Sequence, residues 1–209
     1  MDKGIILVKE GGDGYYEEKK SKFLAAVYPV STEEEVAAYI EAARKKYWDA
    51  RHNCYAYVIG NNNELTRCSD DGEPSGTAGK PILEVIMGRK LHNCLMIVTR
   101  YFGGTLLGTG GLVRAYQKAA SDALDNSRLV QRITGSRISA TTTYSYAGKL
   151  QYCAEKKGYR LDDIVYGADA RLIFSVPSEA AKKLIEDITD ITSGTAVIDE
   201  EKNVEIYIE

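Results

Sequence analysis

Histidine is scarce in this sequence, with two residues in 209, and cysteine nearly so, with four. Cys54, Cys68, Cys94 and Cys153 stand 14, 26 and 59 residues apart, and none falls in a C-x-x-C or C-x-x-H spacing. A structural zinc site needs about four clustered ligands, so no metal, no disulfide framework and no cofactor is expected. Each cysteine sits in an apolar or strand-like stretch and reads as a small buried hydrophobe with a reduced thiol. Long hydrophobic runs are missing too, since no segment approaches the roughly 20 residues of a membrane-crossing helix. Ile5–Val8, followed by Lys9 and Glu10, is too short for a secretory signal core, so no membrane and a cytoplasmic location are expected. Only four prolines and an apolar fraction of 44% exclude disorder and collagen-like repeats.

An excess of either charge is lacking as well. The 27 basic and 30 acidic residues give a net charge of −3, which does not announce nucleic-acid binding by bulk charge. The average hides a division. From Gly135 to Glu209 there are 9 basic and 13 acidic residues, net −4, leaving net +1 for the preceding segment. Glycine divides in the same way, with nine of 19 between Gly72 and Gly111 and five beyond Thr134. The polar stretch from Asn126 to Ser136 reads as a linker, placing a boundary near Ile133 between domains 1–133 and 134–209.

The second segment has a clear order. A Thr- and Tyr-rich strand over Ile138–Tyr146 precedes a helix through Leu150, Cys153 and Ala154 that Gly158 stops. Two strands, Tyr159–Tyr166 and Ala170–Val176, flank a turn at Gly167-Ala168-Asp169. Ala181, Leu184, Ile185, Ile188 and Ile191 then line one face of a helix opened by Ser178, and Val204–Ile208 alternates as a last strand. This is the β-α-β-β-α-β order of a ferredoxin-like domain. The first segment is also α+β. Strands are expected at Ile5–Val8, Phe23–Val30, Cys54–Ile59 and Cys94–Tyr101. Ser31–Glu34 fits a capping box ahead of a helix whose apolar face is Val36, Ile40, Ala43 and Tyr47. Pro81 opens a short helix through Met87, and Leu112, Tyr116, Ala119, Ala120 and Ala123 mark another.

Two glycine-rich stretches are where chemistry could reside. From Arg100 to Arg114 the chain reads strand, loop, helix N-terminus, with Gly103, Gly104, Gly108, Thr109, Gly110 and Gly111 in the loop and the helix starting near Leu112. Such a junction exposes backbone N–H groups at the positive end of a helix dipole, and Arg100 and Arg114 add charge for an anion. The third glycine of a dinucleotide fingerprint is absent. The other stretch, Ser69–Pro81, ends in Gly79-Lys80 but has proline at positions 74 and 81, which excludes a Walker phosphate loop. Lys80 is a second anion contact, and Asp70, Asp71 and Glu73 read as a solvated acidic turn in preference to a magnesium site. Arg51 and His52 precede a strand in which Tyr55 and Tyr57 share a face suited to core packing or, less readily, to base stacking. No spacing assembles a nucleophile, a base and an oxyanion hole, so no catalytic residue is assigned and an enzyme is not the preferred reading.

At Ala50–Cys54, Ser69–Leu83 (SDDGEPSGTAGKPIL) and Thr99–Tyr116 (TRYFGGTLLGTGGLVRAY) the chain resembles the Impact/YigZ family, and the resemblance extends over its whole length. It implies an Impact-type first domain with the fold of elongation factor G domain IV, and a second domain similar to domain V of that factor. It also implies a tie to translation control and brings no catalytic residues with it. The restraint of a stress-response kinase belongs to extra regions of eukaryotic relatives and is not expected here. Three readings follow. One is a translation-associated protein that binds RNA or the ribosome through Arg51, His52, Lys80, Arg100, Arg114 and the glycine loop. The second is an enzyme on a phosphorylated or carboxylated small molecule held at that loop. The third is a protein-interaction module, marked by exposure of Val197 and Ile198.

Overall fold

Local sequence chemistry is most explicit at the first helix of the computed structural model, which describes residues 4–208. Thr32 caps helix α1 (Glu33–Lys46): its hydroxyl accepts the Glu35 N–H, and the Glu35 carboxylate accepts the Thr32 N–H, each at 3.3 Å. The box is thus one residue later than the sequence pattern suggests. Glu33–Glu35 in the first turn and Arg44–Lys46 in the last also complement the helix dipole.

The chain divides into a unit of residues 5–131 and a unit of residues 132–208. The first contains strands β1 (Ile5–Glu10), β2 (Asp13–Glu18), β3 (Ser21–Pro29), β4 (His52–Ile59), β5 (Leu65–Ser69), β6 (Leu91–His92) and β7 (Cys94–Tyr101). Five form an antiparallel sheet in the order β2-β3-β7-β4-β5, while β1 pairs in parallel with β6. The near-continuous apolar run of β7 puts it at the centre, buried on both faces. Its even-numbered residues Cys94, Met96 and Val98 join a core closed by helices α2 (Gly79–Gly88) and α3 (Gly108–Asp125). The odd-numbered Leu95 and Ile97 face a smaller cluster under α1 that includes Val36, Ala43 and Tyr57. Tyr55 packs against this same cluster, so both tyrosines serve packing.

Asn126–Ser136 is not a linker. Strand β8 runs from Arg128 to Thr142, and the passage from one unit to the next occurs inside it. After Thr143 the chain enters α4 (Tyr144–Lys157), earlier than expected, and Gly158 ends that helix at φ +71°. Strands β9 (Arg160–Tyr166) and β10 (Ala170–Pro177), helix α5 (Ser178–Ile191) and strand β11 (Val197–Ile208) complete the second unit. There β11 pairs with β8, β8 with β10 and β10 with β9, the strand order of a ferredoxin-like sheet. Ile138, Leu172, Phe174, Leu150, Leu184 and Ile188 form its core. Val197 is exposed, whereas Ile198 packs against that core.

Candidate functional site: the basic end of the first sheet

The acidic turn is not a freely solvated one, because its carboxylates are engaged by the protein. The Asp70 carboxylate turns inward and accepts N–H bonds from Gly76 (2.8 Å), Ala78 (3.0 Å) and Gly79 (2.8 Å), capping α2 from a distance in sequence. Burial works to raise its pKa, but the three N–H groups outweigh that and hold it below the ordinary carboxylate range. Asp71 accepts the Asn53 N–H at 2.7 Å and pairs with Arg44 at 3.2 Å. His52 Nδ1 lies 2.9 Å from the Asp71 carbonyl oxygen, which makes that nitrogen the proton-bearing donor. His52 therefore holds this turn in place.

Glu73 goes deeper. It meets Arg100 at 2.7 and 3.0 Å, with Glu73 8% and Arg100 6% exposed. Tyr116 donates to the same carboxylate at 2.8 Å, and the Cys54 thiol donates to the Tyr116 oxygen at 3.3 Å. The guanidinium lies over the Phe23 and Phe102 rings, 5.5 and 5.6 Å from their centroids. Arg100 is thus a buried, neutralised brace between β7 and the loop before α2, and it does not reach the glycine loop's surface as expected. Burial pushes both the Tyr116 hydroxyl and the Cys54 thiol far up, so neither ionises near neutral pH.

The glycine loop lies outside this brace. Helix α3 begins at Gly108, four residues before Leu112, so Thr109, Gly110 and Gly111 form its first turn instead of a loop. No side chain caps it, and Gly108, Thr109 and Gly110 are exposed. Gly104 and Gly108 adopt φ +87° and +72°, the left-handed region that glycine tolerates. At Gly103 the reason is packing. A Cβ there would stand 2.1 Å from the Lys20 carbonyl carbon, because the loop rests on the β2–β3 turn. Gly110 has neither reason: a Cβ would meet only Arg114 Nη1, at 3.6 Å.

That turn supplies the cations which sequence reading missed. Lys19, Lys20 and Lys22 are exposed, and Lys22 lies opposite Tyr101 in the β3–β7 ladder. Arg51 is exposed just before His52, which lies opposite Arg100. Arg114 projects near Gly110 and close enough to Tyr16 on β2 to influence its hydroxyl. The Gln117–Glu84 and Arg89–Asp125 contacts run α3 and α2 alongside each other in the same direction. Both N-termini, and exposed Lys80 with them, consequently open at the end where β7 finishes. Lys19, Lys20, Lys22, Arg51, Lys80 and Arg114 form no ion pair among the described residues. The signal available in the sequence was the run Lys19-Lys20-Ser21-Lys22, which becomes informative only once β3 is paired with β7.

The mixed α+β first unit carries two glycine-rich segments braced through one buried ion pair, and its residues 19–124 match the Impact N-terminal domain. Residues 141–195 match a domain of unknown function, DUF1949. The IMPACT family member YvyE of Bacillus subtilis is 38% identical over 193 residues, 92% of this chain and 89% of that one. The IMPACT family member YigZ of Escherichia coli is 40% identical over 129 residues, 61% of this chain and 60% of its own. The crystal structure of a hypothetical protein matches 95% of this chain and 97% of its own, at 28% identity and a TM-score of 0.60. The chain belongs to the IMPACT family.

Proposed function

We propose that this protein is a translation-associated regulator that binds RNA, on or off the ribosome, through the basic end of its first unit. Membership of the IMPACT family supports the association with translation. One observation supports RNA. Six exposed cations that form no ion pair among the described residues lie at the end where an uncapped helix N-terminus opens. Asp70 and Glu73 of the same end turn inward, and Glu17, Glu18 and Asp49 are engaged by tyrosine hydroxyls. A phosphate chain neutralises spaced cations of this kind by counterion release, with no need for bulk basicity. A small anionic metabolite would use one or two of these cations and leave the rest unmatched.

Fluorescence anisotropy with labelled ribosomal RNA fragments over a range of salt tests this reading. Lys20→Glu and Arg51→Glu should each weaken binding about tenfold and flatten the salt slope by about one unit per cation. Absence of binding at low salt, or affinity indifferent to both reversals, overturns it.

A further inference from the structure

The only tryptophan of the chain, Trp48, is 82% exposed in the turn after α1. Packing does not explain it, since a structural indole sits against a core, and this one belongs to none of the hydrophobic clusters. Its position is fixed all the same. The adjacent Asp49 accepts the Tyr101 hydroxyl at 2.8 Å, which ties the turn to the last residue of β7. Phe102, 51% exposed, belongs to the opposite face of the sheet, where the Arg100 guanidinium lies at its ring. Lys22 lies opposite Tyr101, and Arg51 follows Trp48 by three residues. An indole therefore stands in water at the end of the sheet that bears the unpaired cations.

We infer that Trp48 is a stacking ring for an unpaired base, so that the RNA recognised is single-stranded. The inference rests on the RNA-binding reading and names the form of RNA. An exposed ring flanked by Lys22 and Arg51 matches a ligand that alternates apolar base faces with phosphates. A duplex keeps its base faces stacked inside the helix and offers an exposed indole nothing. An apolar partner would not need the cations, and an acidic peptide would not need an aromatic face.

The test uses the full chain with two labelled probes, a short oligoadenylate and a hairpin duplex of similar length. Because Trp48 is the sole tryptophan, its emission reports on this position alone. Oligoadenylate should quench it and the hairpin should not. Trp48→Ala should weaken oligoadenylate binding about tenfold, as expected for loss of one base–aromatic stack, and leave hairpin binding and the unfolding midpoint unchanged. Trp48→Phe should restore most of the affinity, because a smaller ring still stacks. If the wild type binds RNA but its emission is unmoved, or Trp48→Ala weakens both probes equally or neither, the stacking inference fails and the RNA reading stands. If the wild type binds neither probe, both readings fall together.

Discussion

Arg100 and Glu73 illustrate how a charged residue in a glycine-rich motif can be structural. Attraction between two buried charges scarcely exceeds the cost of removing them from water, but an unpaired survivor is far costlier. Glu73→Gln keeps an acceptor for Tyr116 while leaving the guanidinium uncompensated between Phe23 and Phe102. It should lower unfolding free energy by about 3–5 kcal/mol in urea titrations, and Arg100→Met in the same background should recover part of that loss. A loss below about 1 kcal/mol would mean that water reaches the pair. The cysteines behave differently from one another. Cys54 and Cys94 are buried, and burial pushes the Cys94 thiol up to about 12, whereas Cys68 is exposed on β5, contrary to the expectation that all four are interior. A thiol reagent at neutral pH should therefore label Cys68 first and reach Cys54 and Cys94 only on unfolding. Mass spectrometry that found Cys54 modified in the native protein would contradict this account.

At the scale of elements, α2 and α3 end differently at their N-termini, and each end makes a prediction. Asp70 caps α2 as an anion with a depressed pKa. Its contribution is present above the unfolded carboxylate pKa and is lost as pH falls through the lower folded value. Asp70→Asn should cost about 0.5–2 kcal/mol near neutral pH, with the gap to wild type closing in the acid range, as read from unfolding midpoints against pH. In α3, Gly110→Ala replaces a helical glycine that neither backbone nor packing requires, and should stabilise by about 0.5–1 kcal/mol. Gly103→Ala meets the Lys20 backbone and should destabilise. Equal midpoints for the two variants would contradict the geometry. These end effects also explain what the sequence left hidden. Helix periodicity in α3 is carried by Leu112, Tyr116 and Ala119, so a first turn made of Gly108–Gly111 offers no apolar mark. Strands β2 and β5 were missed because their residues are mostly polar and lie at sheet edges, where one side of the strand has no neighbour. By contrast, β7, with apolar residues nearly throughout, and α1, with reciprocal caps, stood out because burial or capping constrains nearly every residue.

For the whole molecule, net charge conceals the feature that matters. Asp70 and Glu73, next to the glycine segments, are turned inward on N–H groups and Arg100, so the +1 sum over the first segment understates the basicity of one end. That redistribution needs tertiary structure, which is why Lys19, Lys20 and Lys22 escaped notice while Arg100 was assigned a surface role it does not have. The segment 135–209 carries net −4, and its excess of carboxylates predicts repulsion of RNA. Its core of Ile138, Leu172, Phe174 and Ile188 shares no residue with the clusters of the first unit, and we propose that it folds alone. A fragment of residues 132–209 should unfold cooperatively in urea and bind no RNA at any salt. The intact chain should bind with affinity that falls steeply as salt rises, with a slope of about −0.7 per phosphate contacted by the six free cations. A fragment that binds as tightly as the whole chain would move the site to the second unit, and a fragment without a cooperative transition would show that β8 cannot be divided at Arg132.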